Sequence, residues 1–514
     1  MYSARTLRPQ LLGSAALALA LAGCEMGPNF TPPHAAVPAG YITGAPMSRG
    51  APYVSGDSVD PAWWNTFDDP ELTKLEAKAV AQNLDLQIAT QRLLEAEAQA
   101  KIEGAVLYPN LGGAASYTRE GPSDVGIFSL FGSSGGTSTT ASSVANGSST
   151  ASGGGGIPSA GIPAIDLYQY GLQSMYDIDL WGKNRRAVEA AVAAAASSEE
   201  ARRASLLNVE AQVASNYIQL RGNEAVLDIT QRNLGFANKL VKLTLERQQA
   251  GLTTALDVAD ARATAAQIQS EIPGLTARRD ALINQIGLLL GETPNVLPAE
   301  LVNASPIPLT PPSVPVGLPS ELLRRRPDVR EAEQKLHQAT AEVGVAVAQF
   351  FPDISLSGSV SLQALQFKNL NELAAITYAV GPNVTLPIFE GGQLNGQLDL
   401  RKAQQKEAAI AYAKTVLTAF YQVDTALSAY TQAHATLDAL TTDVQQSQIA
   451  LGLAGDQYRD GLVDYLTVLT AQERYLRAQQ TQAGAVARLG TDLVTLYQAL
   501  GGGWEGEFPA VKAG

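Results

Sequence analysis

Apolar positions recur with two different periods along this chain, and the switches between them mark out its elements. Val416, Phe420, Val423, Leu427, Tyr430, His434, Leu437, Thr441 and Val444 alternate steps of four and three, the 3.5-residue average of a left-handed coiled coil. His434 and Thr441 are polar, so that seam is imperfect. No proline occurs between Pro163 and Pro273 or between Pro387 and Pro509, which permits two 67-residue helices over 183–249 and 394–460, each about 100 Å long. A glycine follows each, then a 39-residue helical stretch over 252–290 and over 462–500. Stretches of 23 residues over 83–105 and 326–348 complete the set, so each half can lay two shorter helices beside one long one.

Elsewhere the period falls to two. In 168–181 the even positions include Tyr168, Tyr170, Leu172, Tyr176, Ile178 and Leu180, and the odd ones Gln169, Gln173, Asp177 and Asp179. In 354–363 Ile354, Leu356, Val360 and Leu362 alternate with serines, and 376–389 repeats the pattern from Ile376 to Ile388. With the weaker 111–119, this gives four strands of roughly ten residues, a length that suits a transmembrane barrel with an apolar outer and a polar inner face. A half-buried soluble sheet uses the same alternation. Four strands cannot close on themselves, and open edges are not tolerated in hydrocarbon. If these strands lie in a membrane, several chains must share one barrel.

The chain also repeats itself. A shift of 210 residues lays Gly251, Leu252, Leu256, Val258 and Ala261 on Gly461, Leu462, Leu466, Val468 and Ala471. A shift of 243 lays Asp85, Ala89, Leu93 and Tyr108-Pro109 on Asp328, Ala332, Leu336 and Phe351-Pro352. The difference of 33 residues is extra length in the first copy, for which the Gly/Ser/Thr-rich run 121–163 is the candidate. The expected division is a signal peptide (1–23), a proline-rich tether (24–62), a first repeat (63–291), a proline-rich crossing (292–320), a second repeat (321–502) and a tail (503–514).

Composition sharpens this picture. Aromatics are 6% of the 514 residues, which favours long helices packed through small side chains over one thick core. The net charge is −13, and losing 1–23 with its two arginines and no acid makes it −15, a poor match to nucleic acid. Arg5 and Arg8 precede an apolar run over 11–22 that is too short to span a bilayer. Cys24 is the only cysteine, at the end of Leu21-Ala22-Gly23-Cys24, which resembles a bacterial lipobox and implies cleavage before Cys24 and its acylation; a small-residue cleavage site with a leftover cysteine is the plainer alternative. His34, His337 and His434 lack ligand spacing, and no nucleophile elbow, phosphate loop or metal-ligand pair occurs. No catalysis and no cofactor beyond the lipid on Cys24 is expected. Arg324-Arg325-Arg326 reads as the solvated start of a helix.

Several ordered motifs now add up: Cys24 with Gly27-Pro28-Asn29-Phe30, Trp63-Trp64, Phe67, Asp69-Pro70, Asn83-Leu84-Asp85-Leu86, Asp179-Leu180-Trp181-Gly182, the run from Val314 to Glu333, Pro387 to Gly392, and Ala499 to Trp504. Together they resemble the TolC-like outer-membrane factors, in particular their NodT-type lipoprotein branch. The resemblance implies a mainly α chain that forms a long antiparallel coiled-coil barrel and gives four strands to a twelve-stranded β-barrel shared by a homotrimer. It also implies a lipid-anchored protein spanning the outer membrane and extending into the periplasm. Its partners would be a periplasmic adaptor and an inner-membrane RND-type transporter, in an efflux pump whose passive exit duct this chain would be.

In that frame the turns Gly251-Leu252 and Gly461-Leu462 are candidate adaptor-docking tips, although any helical hairpin needs a turn. The family's periplasmic aperture maps onto Tyr458, Leu466 and Thr470, where relatives can carry Asp at the last position. The 210-residue shift puts Asp260 at the copied place, with Asp257 and Asp464 nearby. A ring of Asp260 would attract cations; equally, acids early in a helix complement its dipole. Alternatives on the same chain are a type I protein secretion duct and a non-conducting periplasmic adaptor lipoprotein, the latter needing only one hairpin.

Overall fold

A computed structural model of the chain describes residues 25–33, 54–55, 60–121, 164–294, 296–297, 301, 305–311, 314–316 and 319–504. Cys24, the stretch before it, much of the tether, nearly all of the 121–163 run and the tail past 504 lie outside the described residues. In chain order the elements are α1 (Pro70–Gln82), α2 (Leu84–Ala105), β1 (Asn110–Glu120), β2 (Ile165–Asp177), α3 (Lys183–Gln249), α4 (Ala255–Leu289), α5 (Pro319–Arg325), α6 (Pro327–Ala348), β3 (Asp353–Ala364), β4 (Ile376–Thr385), α7 (Gln393–Arg459) and α8 (Tyr465–Leu500). The chain is mainly helical with a small sheet. Its contacts divide it into a strand unit of Met1–Gly27, Ile102–Arg186 and Gly344–Gly396, and a helical unit of Pro28–Lys101, Ala187–Val343 and Gln397–Gly514.

In the strand unit four antiparallel strands lie in the order β1-β2-β3-β4. Their register sorts the two faces. Ala115, Tyr170, Leu362 and Ile376 share one row, and Gly113, Leu172, Val360 and Tyr378 the next, on the apolar face. The opposite face carries Ala114, Gly171, Ser361 and Thr377, then Gly112, Gln173, Ser359 and Ala379. A slip of one residue in any strand would exchange its faces, so the alternation fixes the pairing. Gly171 is required: a Cβ there would run into the Val360 carbonyl and Ser361.

Two strands stop short of the expected ends at 181 and 389. β2 ends at Asp177 because Leu180 N–H turns back onto the Ile178 carbonyl, 2.9 Å, and Asp179 accepts the Arg185 N–H at the start of α3, 2.9 Å. β4 ends at Thr385, two residues before Pro387, which has no N–H for a ladder. Trp181, just past β2, donates to the Pro352 carbonyl at 2.9 Å and stacks on Phe351.

The helical unit has one large core and two small ones. The large core joins Trp63, Phe67 and Leu72 to Val213, Tyr217 and Leu220 of α3, Ile283 and Ile286 of α4, Val416, Phe420, Val423 and Tyr430 of α7, and Leu493 and Tyr497 of α8. Asp69 organises its beginning. One carboxylate oxygen caps α1 by accepting the Glu71 and Leu72 N–H groups, and the other accepts the Tyr217 hydroxyl at 2.9 Å. Asn83 serves α2 in the same double way, accepting the Leu86 N–H and donating to the Leu289 carbonyl at 2.7 Å.

Arg326 corrects the expectation of a solvated arginine run. It is buried, and its guanidinium donates to Asp328, to Gln422 of α7 at 2.7 Å and to the Ala499 carbonyl of α8 at 2.8 Å. The last of these satisfies a carbonyl at a helix end that has no partner within its own helix. Trp504 donates to the Arg325 carbonyl, and the guanidinium groups of Arg203 and Arg330, which share Glu200, both lie against its ring. Among the described residues no helix is long and apolar enough to cross a membrane.

Glu76 of α1 and Glu210 of α3 are both fully buried in this unit. Burial, and then the neighbouring Glu210, pushes the Glu76 carboxyl well above its ordinary 4.5. The unfolded chain therefore releases this proton first, and the folded state loses stability from Glu76 as pH rises past about 4.5. Glu76→Gln should remove that slope, so its melting temperature should gain on the wild type as pH rises above about 4.5; parallel curves would mean that Glu76 is already ionised in the fold.

Candidate functional site

The ends of the two hairpins α3–α4 and α7–α8 are built alike. At the first, Gly251 takes φ +74°, its N–H reaches the Gln248 carbonyl at 3.0 Å and Leu252 N–H reaches the Arg247 carbonyl at 2.9 Å. At the second, Gly461 takes φ +75°, with the Tyr458 and Gln457 carbonyls in the same roles. This paired bonding with a left-handed glycine is the Schellman helix stop, and a Cβ at either glycine would strain it. The return helices begin at Ala255 and Tyr465, three residues after the expected 252 and 462, because a capping residue must come first. Thr254 and Asp257 form a capping box on α4, and Asp464 caps α8 by accepting the Thr467 N–H at 3.0 Å.

Each tip consequently displays apolar side chains that no described residue covers. Leu252 and Leu462 are 73% and 74% exposed, and Leu256 and Leu466 are 67% and 63% exposed, at equivalent places in the two copies. In a Schellman stop the residue after the glycine commonly packs back onto its helix. Here both leucines point outward.

The acids divide by role. Asp257 accepts from Thr253 and Thr254, which hold its carboxyl below the ordinary range, and Asp464 is held down by the Thr467 hydroxyl and N–H. Both are therefore capping groups, each using one carboxylate oxygen. Asp260 is exposed one turn further along α4, as is Thr470 in α8. Tyr458 is 5% exposed and stands in a small core with Leu240, Ala261, Ala454, Tyr465 and Val468, so within the chain it braces the hairpins. Burial, then Tyr458 and Asp260, pushes Tyr465 up to about 12.

Arg247, which the sequence did not single out, joins the two hairpins. Its guanidinium lies 4.2 Å over the Tyr458 ring, and it donates to the Arg459 carbonyl at 3.3 Å. The partners are 211 and 212 residues away in sequence, so no local pattern could have announced them.

A separate candidate surface, in the strand unit, is the polar face of the sheet, where serine, threonine, glutamine and glycine present hydroxyls, amides and bare backbone. Among the described residues no group of three His, Cys, Asp or Glu has the arrangement of a metal site.

A sequence model of a family described as outer membrane efflux protein matches residues 75–292 and 318–502. Nodulation protein T of Rhizobium leguminosarum is 30% identical over 500 residues, covering 96% of this chain and 97% of that protein. A probable efflux pump outer membrane protein, TtgC of Pseudomonas putida, is 33% identical over 503 residues, covering 96% of each chain. Among solved structures, the outer-membrane channel OprN superposes with a TM-score of 0.80 at 30% identity, covering 94% of this chain and all of that one.

Arg247→Ala should weaken the bond between the hairpins by about 1 kcal/mol. Amide exchange over 458–462 should quicken by several-fold in that variant, while Tyr458→Phe, which keeps the ring, should leave it unchanged.

Proposed function

The chain belongs to the outer membrane efflux protein family, and from that membership we propose that it is the exit duct of a tripartite efflux pump, carrying small molecules passively out of the cell. The observation that carries this reading is the open sheet with one apolar and one polar face. β1 and β4 are its edge strands, each with one row of backbone groups that no described strand pairs. Hydrocarbon tolerates no such edge, whereas head-to-tail pairing of β4 in one copy with β1 in the next closes a ring around a polar lumen. Exposed apolar side chains near both edges support that closure: Tyr108 just before β1 and Leu111 within it are 73% and 71% exposed, and Ile388 and Phe389 after β4 are 90% and 89% exposed.

Three copies would give a twelve-stranded barrel, the homotrimer that the resemblance implies. The acylated Cys24 would add an anchor to the outer membrane, since several acyl chains hold firmly where one is marginal. The paired tips offer an adaptor two equivalent seats per chain, each a turn with exposed leucines. Through the adaptor an inner-membrane RND-type transporter would deliver the substrate. TtgC is named as an efflux pump component, and this chain is proposed to act in the same kind of pump.

Two experiments test this. Purified protein in a planar lipid bilayer should conduct, and Asp260→Asn should lower its preference for cations; an unchanged reversal potential would remove Asp260 from the aperture. Leu252→Asp with Leu462→Asp should abolish capture of the cognate adaptor while leaving conductance intact, and retained capture would place docking elsewhere.

A further inference from the structure

After α8 the chain passes, as Gly501-Gly502-Gly503-Trp504, over two of the most deeply buried acids of the helical unit. All three glycines are buried. Gly501 takes φ +72°, and a Cβ on it would stand 2.8 Å from Arg326 Cγ. Gly503 takes φ +137°, and a Cβ on it would collide with the Glu210 carboxylate and stand 3.2 Å from Trp63 Nε1. Both places therefore need glycine for conformation and for room. Trp504 then pins the strap. Its ring lies 4.8 Å from the Arg203 guanidinium and 5.1 Å from that of Arg330, and its Nε1 donates to the Arg325 carbonyl at 2.8 Å.

The strap touches both halves of the repeat: Trp63, Arg203 and Glu210 in the first, Arg325, Arg326 and Arg330 in the second. Beneath it, Glu76 of α1 has Glu210 of α3 as its charged neighbour, and both are fully buried. Two carboxyls in one dry place cannot both ionise cheaply. The other charged groups on the elements packed here are engaged elsewhere. Asp69 accepts from Tyr217, Lys74 pairs with Glu71, Lys78 with Glu292, Arg203 with Glu199 and Glu200, and Arg221 with Glu224. Asp60 acts on Tyr497, whose ring stacks on Trp63. Residues 501–504 bring no charge.

We propose that Gly501–Trp504 is a proton-linked clasp: docked, it ties the two halves together and keeps water from Glu76 and Glu210, which hold a proton between them; lifted, it lets the pair hydrate and ionise. Burial, and then Glu210, pushes the Glu76 carboxyl up, so the lifted state releases the proton first. The stabilisation of the docked strap is fully present below the ordinary 4.5 and is lost as pH climbs from there to the raised value. Acid therefore tightens the clasp and alkali loosens it. The inference stands apart from the duct reading, since it concerns how the helical unit holds its own two halves.

The test titrates the full-length protein in lipid while infrared spectroscopy follows the carbonyl stretch of protonated carboxyl groups. In each background, subtracting the spectrum of the same protein with Glu76→Gln isolates the Glu76 signal. In the wild type that signal should titrate above 4.5. Trp504→Ala, and Gly503→Ala as a second variant that keeps the ring, should both move the midpoint back toward 4.5 with the helical circular dichroism unchanged. Both should also raise carbodiimide labelling of Glu210, read by mass spectrometry, several-fold. A tail that merely packs would move neither readout, so a midpoint and a labelling rate that both variants leave unchanged would overturn the clasp. A Glu76 signal already half lost at 4.5 in the wild type would overturn the held proton. Conductance is not among the readouts, so the result stands whether or not the protein conducts.

Discussion

Backbone groups along the outer edges of β1 and β4, which no described strand pairs, constrain everything else about this chain. A sheet whose one face is lined with tyrosine, leucine, valine and isoleucine gains by leaving water, but its edge N–H and C=O groups lose several kcal/mol each if they enter hydrocarbon without partners. The four strands resolve that conflict only by meeting further strands, and the nearest source is another copy. The proposed closure would send the serine, threonine and glutamine face inward, where it can stay wet. Register makes the arrangement specific, because the alternation would be scrambled by any odd slip.

In the helical unit, burial is graded rather than uniform. Aromatic rings from the 63–67 stretch and from α3, α7 and α8 fill the large core around Trp63 and Tyr497, which stack at 5.2 Å, whereas the clusters toward the tips are small. Polar side chains lie between those clusters: Asn233 approaches Gln479, Gln480 donates to Thr230 and Glu271, and the Gln472 amide is buried with no hydrogen-bond partner among the described residues. Segments with few apolar contacts open at lower free energy than the rest of a fold. The tip-side hairpins are therefore the part of this unit that can move while the large core holds.

Much of this was legible in the sequence because the governing signals are periodic. Period two gave β2, β3 and β4, and the absence of proline gave the long helices. β1 was the weak member because Gly112-Gly113-Ala114-Ala115 hardly alternates, and only its pairing with β2 assigns the faces. The helix starts at Ala255 and Tyr465 were readable in principle from Thr254 with Asp257 and from Asp464, capping signals that the glycine turns overshadowed. Arg326 was not readable. Three adjacent arginines look solvated until the fold brings Gln422 and Ala499 to the third. Of the candidate site, the tip leucines follow from the repeat, but the capping duties of Asp257 and Asp464 and the bridge from Arg247 to Tyr458 depend on contacts that only the folded chain makes.

The central claim is that the sheet edges are closed by other copies of the chain. Amide hydrogen exchange of the lipid-reconstituted protein, resolved along β1 and β4, tests it most directly. Closure requires the edge-facing amides of both strands to be as protected as those of β2 and β3, with protection lost from both when the assembly is dissociated. Rapid exchange along those two edges in the intact lipid-bound protein, with β2 and β3 protected, would contradict it.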